Sequence, residues 1–376
     1  MEKARSFRVL LRIGLLCLLS SSVANACDVG LPEWSVSGTV PDRPIDGMVP
    51  LATASPESQG INGNLLKAGI QRVRYLPSLN SLLIARNGVV VCEEYFNGHN
   101  ATDSYEVASV SKSIMSALVG IAIERGHIES IHQPVSELLP EAFADAEWSK
   151  CLITMRDLLT MQAGMLWEPA APLDLVATQH VVEDVVGQSI SKGQGSRFEY
   201  STGLTHLASA VIASRSGMST CEFATTNLFE PLGVAPEVWA RDADGVHTGG
   251  WYMYFTPREL LRFGLLYLQG GNWEGQQIVP DLWVRLSLSQ QVSLDDSNGY
   301  GFWWWLSSFV DSQTSMSYKI QSARGGGEQM IWLVPELNLV MVTTSDHAYQ
   351  GSPFRFDSEQ FLHEVVIPAA VIEATS

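Results

Sequence analysis

Apolar and polar positions form strand patterns near both ends of the chain and helix patterns in the middle. Residues 81–86 and 89–96 are β-rich runs separated by Asn87-Gly88, a strong short-range hairpin signal. After residue 298 the pattern returns to strands, at residues 300–306, 318–323, 329–334 and 339–344. Between them, residues 126 to about 292 have helical spacing. These patterns predict an α+β fold, with one sheet built from both ends of the chain and a helical region inserted.

Local patterns make further predictions. Thr154 and Asp157 have the spacing of a capping box, which predicts a helix start. Thr256 and Glu259 form a second one, with proline at the first helical position. The aromatic run 302–305 lies within a predicted strand, so about half of it should face the core because side chains alternate between the two faces.

The first 26 residues have the features of a secretory signal peptide. Four basic residues precede the apolar run 13–19, and residues 24–26 have the small-x-small form of a cleavage site. The apolar run is too short to span a bilayer. We therefore expect residues 27–376 to be exported, to the periplasm or the medium, with no transmembrane span in the mature chain. Cys27, directly after the cleavage site, leaves a lipoprotein as the alternative.

Charge and composition exclude several classes of partner. The chain carries 23 basic and 40 acidic residues, for a net charge of −17. This argues against binding to nucleic acid or to an anionic lipid surface. The eight histidines are scattered, and neither a Cys-x-x-Cys nor a His-Glu-x-x-His motif occurs. We therefore predict no metal site and no cofactor.

Export bears on the cysteines. Four remain after the cleavage site, Cys27, Cys92, Cys151 and Cys221, and four cysteines permit three sets of pairings. A disulfide is compatible with an oxidising compartment. Cys92 lies within an apolar strand pattern, which favours a buried free thiol at that position.

Residues 105–126 place a serine at the mouth of a predicted buried helix. Lys112 follows Ser109 by three residues, so the two side chains share a helix face. Desolvation lowers the pKa of a buried lysine, which can then activate a serine hydroxyl as a nucleophile. The alternative is that Ser109 merely caps the helix. A second Ser-x-x-Lys, at residues 189–192, opens no apolar helix, and we interpret it as a coincidence in a loop.

Two further segments carry candidate chemistry. Tyr200 precedes the apolar helical run 204–213; beside an ammonium its phenol pKa would fall, and it could exchange protons. The alternative is a core tyrosine. Residues 323–329 contain three consecutive glycines, which let a backbone approach a ligand closely. An amide there, with the amide of Ser109, could form an oxyanion hole. The alternative is a bulge or turn.

In this order, Ser109-Val-Ser-Lys112, Tyr200-Ser-Thr202 and the glycine segment resemble the motifs of the serine β-lactamase-related hydrolases. This superfamily includes class C β-lactamases, D-alanyl-D-alanine carboxypeptidases, esterases and 6-aminohexanoate-dimer hydrolase. The run Thr248-Gly-Gly-Trp251 resembles the last two. The resemblance implies one β-lactamase/transpeptidase-like domain over residues 27–376. Its helix-flanked antiparallel sheet would come from about 50–105 and 298–376, and its helical region from about 106–297.

The resemblance also implies roles for individual residues. Ser109 would be the acylated nucleophile, and Lys112 and Tyr200 would share the general-base and general-acid work. The backbone amides of Ser109 and of a residue within the third motif would hold the oxyanion. The third-motif residues are Gly325, Gly326, Gly327 and Gln329. The expected pocket residues are Trp167, Thr202, His247 and Trp251.

Three positions depart from the family pattern. Thr202 stands where asparagine is usual, Gly326 where lysine or histidine is usual, and Glu328 where glycine is usual. An inward-pointing Glu328 would oppose an oxyanion, and Arg324 could offset it. Losing the cation weakens attraction for a β-lactam carboxylate, which favours a small ester or amide substrate. The alternatives are a β-lactamase or D,D-peptidase, or a non-catalytic binding protein on the same scaffold.

Overall fold

The computed structural model describes residues 50–169, 173–191, 195, 197–311 and 315–371. The expected signal peptide, Cys27 and the lysine of the second Ser-x-x-Lys lie outside these residues. The strands are β1 (Leu79–Arg86), β2 (Val89–Tyr95), β3 (Tyr105–Glu106), β4 (Tyr254–Phe255), β5 (Asn272–Trp273), β6 (Gln276–Gln277), β7 (Val292–Ser293), β8 (Gly299–Tyr300), β9 (Trp305–Val310), β10 (Ser317–Gly325), β11 (Gln329–Val334) and β12 (Leu339–Ser345). The α-helices are α1 (Gly63–Val73), α2 (Val110–Glu124), α3 (Val135–Leu138), α4 (Trp148–Cys151), α5 (Met155–Leu159), α6 (Val181–Gly187), α7 (Thr202–Ser216), α8 (Thr220–Ala224), α9 (Glu230–Leu232), α10 (Pro257–Leu268), α11 (Asp281–Ser287), α12 (Ser358–Phe361) and α13 (Ile367–Val371).

One antiparallel sheet joins the two ends of the chain. Its strand order is β2-β1-β12-β11-β10-β9-β8-β7, so the N-terminal hairpin pairs directly with the C-terminal strand β12. The hairpin turns at Asn87-Gly88, where both residues have positive φ, 54° and 79°. This conformation is the one that an Asn-Gly turn supplies. The predicted hairpin and the predicted α+β architecture are both confirmed.

The two faces of the sheet pack against different helices. Alternate side chains of β1 point to opposite sides, so Leu83 and Ala85 join one apolar cluster and Leu82 and Ile84 join another. The first cluster contains α2, α7 and α10, and the second contains α1, α12 and α13. Thirteen of the fifteen residues of α2 are buried. The N-terminus of α2 therefore lies between the sheet and the helical region.

The predicted strand over residues 300–306 is broken, and the expected alternation of residues 302–305 is wrong. Trp303 has a φ of 61°, and Phe302, Trp303 and Trp304 are all buried. The indole of Trp303 donates to the carbonyl of Leu158, and its own carbonyl accepts from the Ser113 hydroxyl. The segment leaves the sheet because the Trp304 ring packs against α10 and the Phe302 ring packs against α11.

Smaller predictions are also settled. The two predicted capping boxes are present at the starts of α5 and α10. Cys92 and Cys151 are free thiols and Cys221 is disulfide-bonded, which confirms the buried thiol expected at Cys92. Burial, together with the negative charges of Glu94 and Glu93, raises the pKa of the Cys92 thiol to about 12, so this thiol is unreactive at neutral pH. Among the described residues, no helix has both the length and the apolar character needed to cross a bilayer.

Candidate functional site

The backbone turns sharply just before Ser109. β3 pairs with β4 and ends at Glu106, and α2 begins at Val110. Between them, Ala108 has a φ of 47°, in the left-handed region that residues with a side chain seldom adopt. Ser109 occupies the N-cap position of α2, but its hydroxyl makes no capping hydrogen bond. The hydroxyl is thus available for chemistry, and a capping role does not account for it.

Lys112 lies one helical turn after the serine and is buried beneath it. Its Nζ donates to Ser109 Oγ at 2.9 Å and to the carbonyl oxygen of Gly250 at 3.0 Å. Desolvation lowers the pKa of Lys112 to about 7, against the opposing pull of Glu168 and Glu106. A lysine with this pKa is partly neutral at pH 7, so it can accept a proton from the serine hydroxyl.

Tyr200, just before α7, completes the group. Its phenol interacts with the Ser109 side chain, and Lys112 Nζ lies 5.1 Å from the centre of its ring. Its ring stacks on Trp305 at 5.8 Å between centroids. Burial raises the pKa of Tyr200 above its usual value, and the negative charge of Glu168 raises it further. The lowered phenol pKa expected from the sequence is therefore wrong, and Tyr200 is a neutral donor.

We expect Tyr200→Phe to lower kcat/KM for an alkyl ester by about 10²- to 10³-fold, the range of a lost proton donor. The loss should be smaller for a p-nitrophenyl ester, because nitrophenolate departs without a proton. Steady-state kinetics on a matched pair of esters measures the difference. Tyr300→Phe, a change at a buried neighbour that is in edge contact with the same Trp305 ring, is the control and should leave both rates close to wild type. Equal losses for the two esters would contradict the assignment.

A carboxylate that was not predicted from the sequence stands at the start of α7. Glu168 accepts from the backbone amide of Thr202 at 2.9 Å and from its hydroxyl at 2.6 Å. The N-terminus of a helix favours an anion at this position. Because the Thr202 hydroxyl is donated to Glu168, it is not presented to a substrate as the usual asparagine would be. Glu168 lies in the segment between α5 and α6, which has no sequence pattern that marks it, because its contact with the start of α7 depends on the tertiary fold.

The charge of Glu168 acts on Lys112, so Glu168→Gln should shift the pH dependence of the reaction. The carboxylate favours the protonated lysine, and removing it lowers the pKa of Lys112. We expect the acid limb of kcat/KM to move to lower pH by a few tenths of a unit, a small shift because Glu168 is exposed and screened. Complete pH–rate profiles measure it, with Glu336→Gln, an exposed carboxylate in a distant turn, as the control. A shift to higher pH would contradict this account.

The glycine segment forms the hairpin turn between β10 and β11. Gly325 ends β10 and pairs with Gln329 at the start of β11. A Cβ at Gly325 would lie 2.4 Å from the carbonyl oxygen of Val107, so only glycine lets this strand end approach the segment that leads to the serine. Gly327 has a φ of 72° and makes the turn, and a Cβ at the preceding Gly326 would make ordinary van der Waals contact with Gln350, at 3.7 Å. The third motif therefore lies beside the entry to α2.

Glu328 does not point toward the serine. It is buried, and one carboxylate oxygen accepts from both the backbone amide and the hydroxyl of Ser358, while the other pairs with Arg355 at 3.0 Å. Arg324 pairs with Glu359, so the expectation that it could offset Glu328 is wrong. Glu328 thus anchors the start of the C-terminal helices, and its departure from the family pattern places no carboxylate in the site.

The expected pocket residues separate into two groups. Trp251 follows Gly250, the partner of Lys112, and its ring lies 5.7 Å from that of Trp167. These two tryptophans pack behind the site. His247 lies elsewhere: it is 1% exposed, packs against Trp239, and accepts a hydrogen bond from Arg241. Burial, with Arg241 beside it, lowers the pKa of His247 to about 3, so it is a neutral core residue and not the pocket wall expected from the sequence.

Within the described residues, His, Cys, Asp and Glu side chains form no group of three that could hold a metal ion. The groups that surround the serine are a lysine, a tyrosine and backbone amides. With these groups around it, the Ser109 hydroxyl can attack a carbonyl carbon, and the lysine and tyrosine can transfer the associated protons.

Comparisons with known proteins support the fold described above. The Beta-lactamase family matches residues 79–362. The 6-aminohexanoate-dimer hydrolase of Paenarthrobacter ureafaciens is 23% identical over 346 residues, which cover 84% of this chain and 82% of that protein. A Bacillus anthracis structure described as a candidate 6-aminohexanoate-dimer hydrolase has a TM-score of 0.67 at 19% identity, covering 86% of this chain and 88% of its own. The penicillin-binding protein homologue from Caulobacter crescentus has a TM-score of 0.65 at 14% identity, covering 85% and 98%. These structures confirm the predicted fold class.

Proposed function

Because this chain belongs to the Beta-lactamase family, we propose that it is an exported serine hydrolase that cleaves a small ester or amide through an acyl-enzyme on Ser109. The observation that carries the proposal is the 2.9 Å contact between Lys112 Nζ and Ser109 Oγ, with the lysine buried. A buried lysine beside a hydroxyl stabilises the fold no more than an apolar side chain would, but it can act as a base toward that hydroxyl. Export rests on the sequence of residues 1–26.

The geometry supports a two-step reaction. Neutral Lys112 takes the hydroxyl proton as Ser109 Oγ bonds to the carbonyl carbon, and the carbonyl π electrons move to oxygen. The amide of Ser109 and that of a residue within the third motif would hold that oxyanion. As the oxyanion collapses, the bond to the leaving group breaks. Tyr200 donates a proton to the departing alcohol or amine, and Lys112 then returns a proton to Tyr200. Water then attacks the acyl ester, the proton it loses returns to Ser109 through the same groups, and the acid departs.

The charges around Ser109 support neutral substrates over β-lactams. A β-lactam antibiotic carries a carboxylate, which relatives attract with a cation in the third motif. Here that position is Gly326, and Arg324 is paired with Glu359 and stacked 4.8 Å over Trp332. Glu168 adds a negative charge near Lys112. A substrate carboxylate would therefore meet the negative charge of Glu168 without the cation that relatives carry in the third motif.

A fluorophosphonate probe tests the proposal, because it reacts covalently only with an activated serine. We expect one adduct per chain, located at Ser109 by fragmentation mass spectrometry. Ser111 and Ser113 lie close to Ser109 in sequence and are buried, so they serve as internal controls. An unlabelled Ser109 would contradict the proposed hydrolase activity and favour the alternative of a non-catalytic binding protein. A panel of p-nitrophenyl esters, linear amides and nitrocefin then ranks substrates, and faster turnover of nitrocefin than of short esters would overturn the preference for neutral substrates.

A further inference from the structure

A mostly buried carboxylate lies directly behind the serine. Glu106 Oε1 accepts hydrogen bonds from the backbone amide of Ala108 at 2.9 Å and from that of Tyr252 at 2.8 Å. Both of these residues are in the left-handed region, with φ of 47° and 51°. Residues with a side chain adopt this conformation at an energetic cost and keep it only where surrounding contacts hold them there. One oxygen atom therefore secures two strained positions.

Each strained position adjoins a group that the proposed reaction needs. Ala108 directly precedes Ser109, so its conformation sets the direction of the serine side chain at the start of α2. Tyr252 follows Gly250 by two residues, and the Gly250 carbonyl is the second hydrogen-bond partner of Lys112 Nζ. The same carboxylate thus fixes the segment that carries the nucleophile and the segment that holds the base.

The second oxygen of Glu106 connects this arrangement to the third motif. Glu106 Oε2 lies 3.3 Å from His347 Nε2, and the same nitrogen lies 3.1 Å from the backbone oxygen of Glu106. His347 packs against the glycine turn, since a Cβ at Gly327 would lie 2.9 Å from His347 Nδ1. All three segments that converge on Ser109 are therefore joined through one side chain.

We propose that Glu106 is a positioning residue for the hydrolase. It holds Ser109, the lysine partner Gly250 and the glycine turn in the relative positions that the reaction needs. The inference rests on the proposed function. The acceptor of the two amide protons is Oε1, so the positioning depends on an oxygen at that place and not on the negative charge. Displacing a nucleophile by about 1 Å costs on the order of 10²-fold in rate.

Two substitutions separate the oxygen from the charge. Glu106→Gln keeps an amide oxygen that can accept both backbone protons, and we expect the rate of fluorophosphonate labelling to stay within about 10-fold of wild type. Glu106→Ala removes the acceptor, and we expect the rate to fall about 100-fold, with kcat for esters reduced and KM little changed. Equal rates for the alanine variant and the wild type would overturn the proposal, as would equal losses in the alanine and glutamine variants.

The matched control is Glu259→Ala. Glu259 is also a buried carboxylate that accepts backbone protons, from Ala235 and Thr256, but it caps α10. We expect this variant to lose thermal stability while its labelling rate stays at the wild-type value. If Glu106→Ala does not fold, Glu106→Asp replaces it, because the shorter side chain withdraws the oxygen. A wild-type rate in Glu106→Asp would then overturn the proposal.

Amide hydrogen exchange gives a readout that does not depend on activity. In Glu106→Ala, peptides that contain Ala108 and Tyr252 should exchange faster than in the wild type and in Glu259→Ala, and in Glu106→Gln they should be close to wild type. Unchanged exchange in both peptides would overturn the positioning role. If the wild type takes no fluorophosphonate label, the proposed hydrolase fails, while exchange still decides whether Glu106 holds these segments.

Discussion

Replacing Ser109 with alanine is expected to lower kcat/KM toward a short p-nitrophenyl ester by about 10⁴- to 10⁶-fold, the range seen when a hydrolase loses its nucleophile. No other described hydroxyl contacts Lys112 Nζ, whose hydrogen-bond partners are Ser109 Oγ and Gly250 O. Without the serine oxygen, the acyl-enzyme cannot form, and only binding and the oxyanion donors remain. Initial rates at pH 8, with active-site titration of the wild type, measure the loss.

The control for this loss is Ser113→Ala, on the same helix. Ser113 is buried, and its hydroxyl donates to the carbonyl of Trp303 at 2.7 Å, so its removal leaves a buried acceptor unsatisfied. We expect that variant to melt at a lower temperature and yet to retain ester turnover. Ser109→Ala should show the opposite pattern, with little change in melting temperature because its hydroxyl caps no helix. Full turnover in Ser109→Ala would contradict the proposed nucleophile.

Features with local causes could be predicted from the sequence. An Asn-Gly pair between β-rich runs determines its own turn, and a capping box involves residues three apart, so both are recognisable from neighbouring residues alone. The contact between Ser109 and Lys112 belongs to this class, because spacing by three on a helix brings the two side chains together. The sheet that joins both chain ends follows from where the strand patterns lie.

Features with distant causes could not be predicted. The segment after Tyr300 leaves the sheet because the Trp303 indole donates to Leu158 of α5 and the Trp304 ring packs against α10, both distant in sequence, although its composition is typical of a strand. Glu328 is turned away from the site by Ser358 and Arg355, which lie about thirty residues further on. Glu168 and Glu106 are ordinary acidic residues in sequence, and only the folded chain brings them beside Lys112.

The second large effect is expected at the base. Replacing Lys112 with methionine should lower kcat/KM by about 10³- to 10⁴-fold, because proton removal from the serine loses its acceptor. In the wild type, a base must be deprotonated to act, so kcat/KM should rise with pH through the pKa of Lys112, about 7, and then level off. The methionine variant should show no inflection near pH 7. Lys150→Met is the matched control: Lys150 is also buried, donates to the carbonyl of Val186, and lies in α4, so its loss should leave the profile unchanged.

The same substitution should stabilise the fold, in a pH-dependent way. An unfolded lysine has a pKa of about 10.4, while that of Lys112 in the folded protein is about 7. Between these values the unfolded chain binds a proton that the folded protein does not, so folding is disfavoured, most strongly at pH 7 and below, and the penalty disappears as pH rises toward 10. Lys112→Met removes the penalty, so its gain in melting temperature over the wild type should be largest near pH 7 and small near pH 10. Calorimetry of both proteins across this range measures the difference, and a gain that grew with pH would show that Lys112 is not held partly neutral by burial.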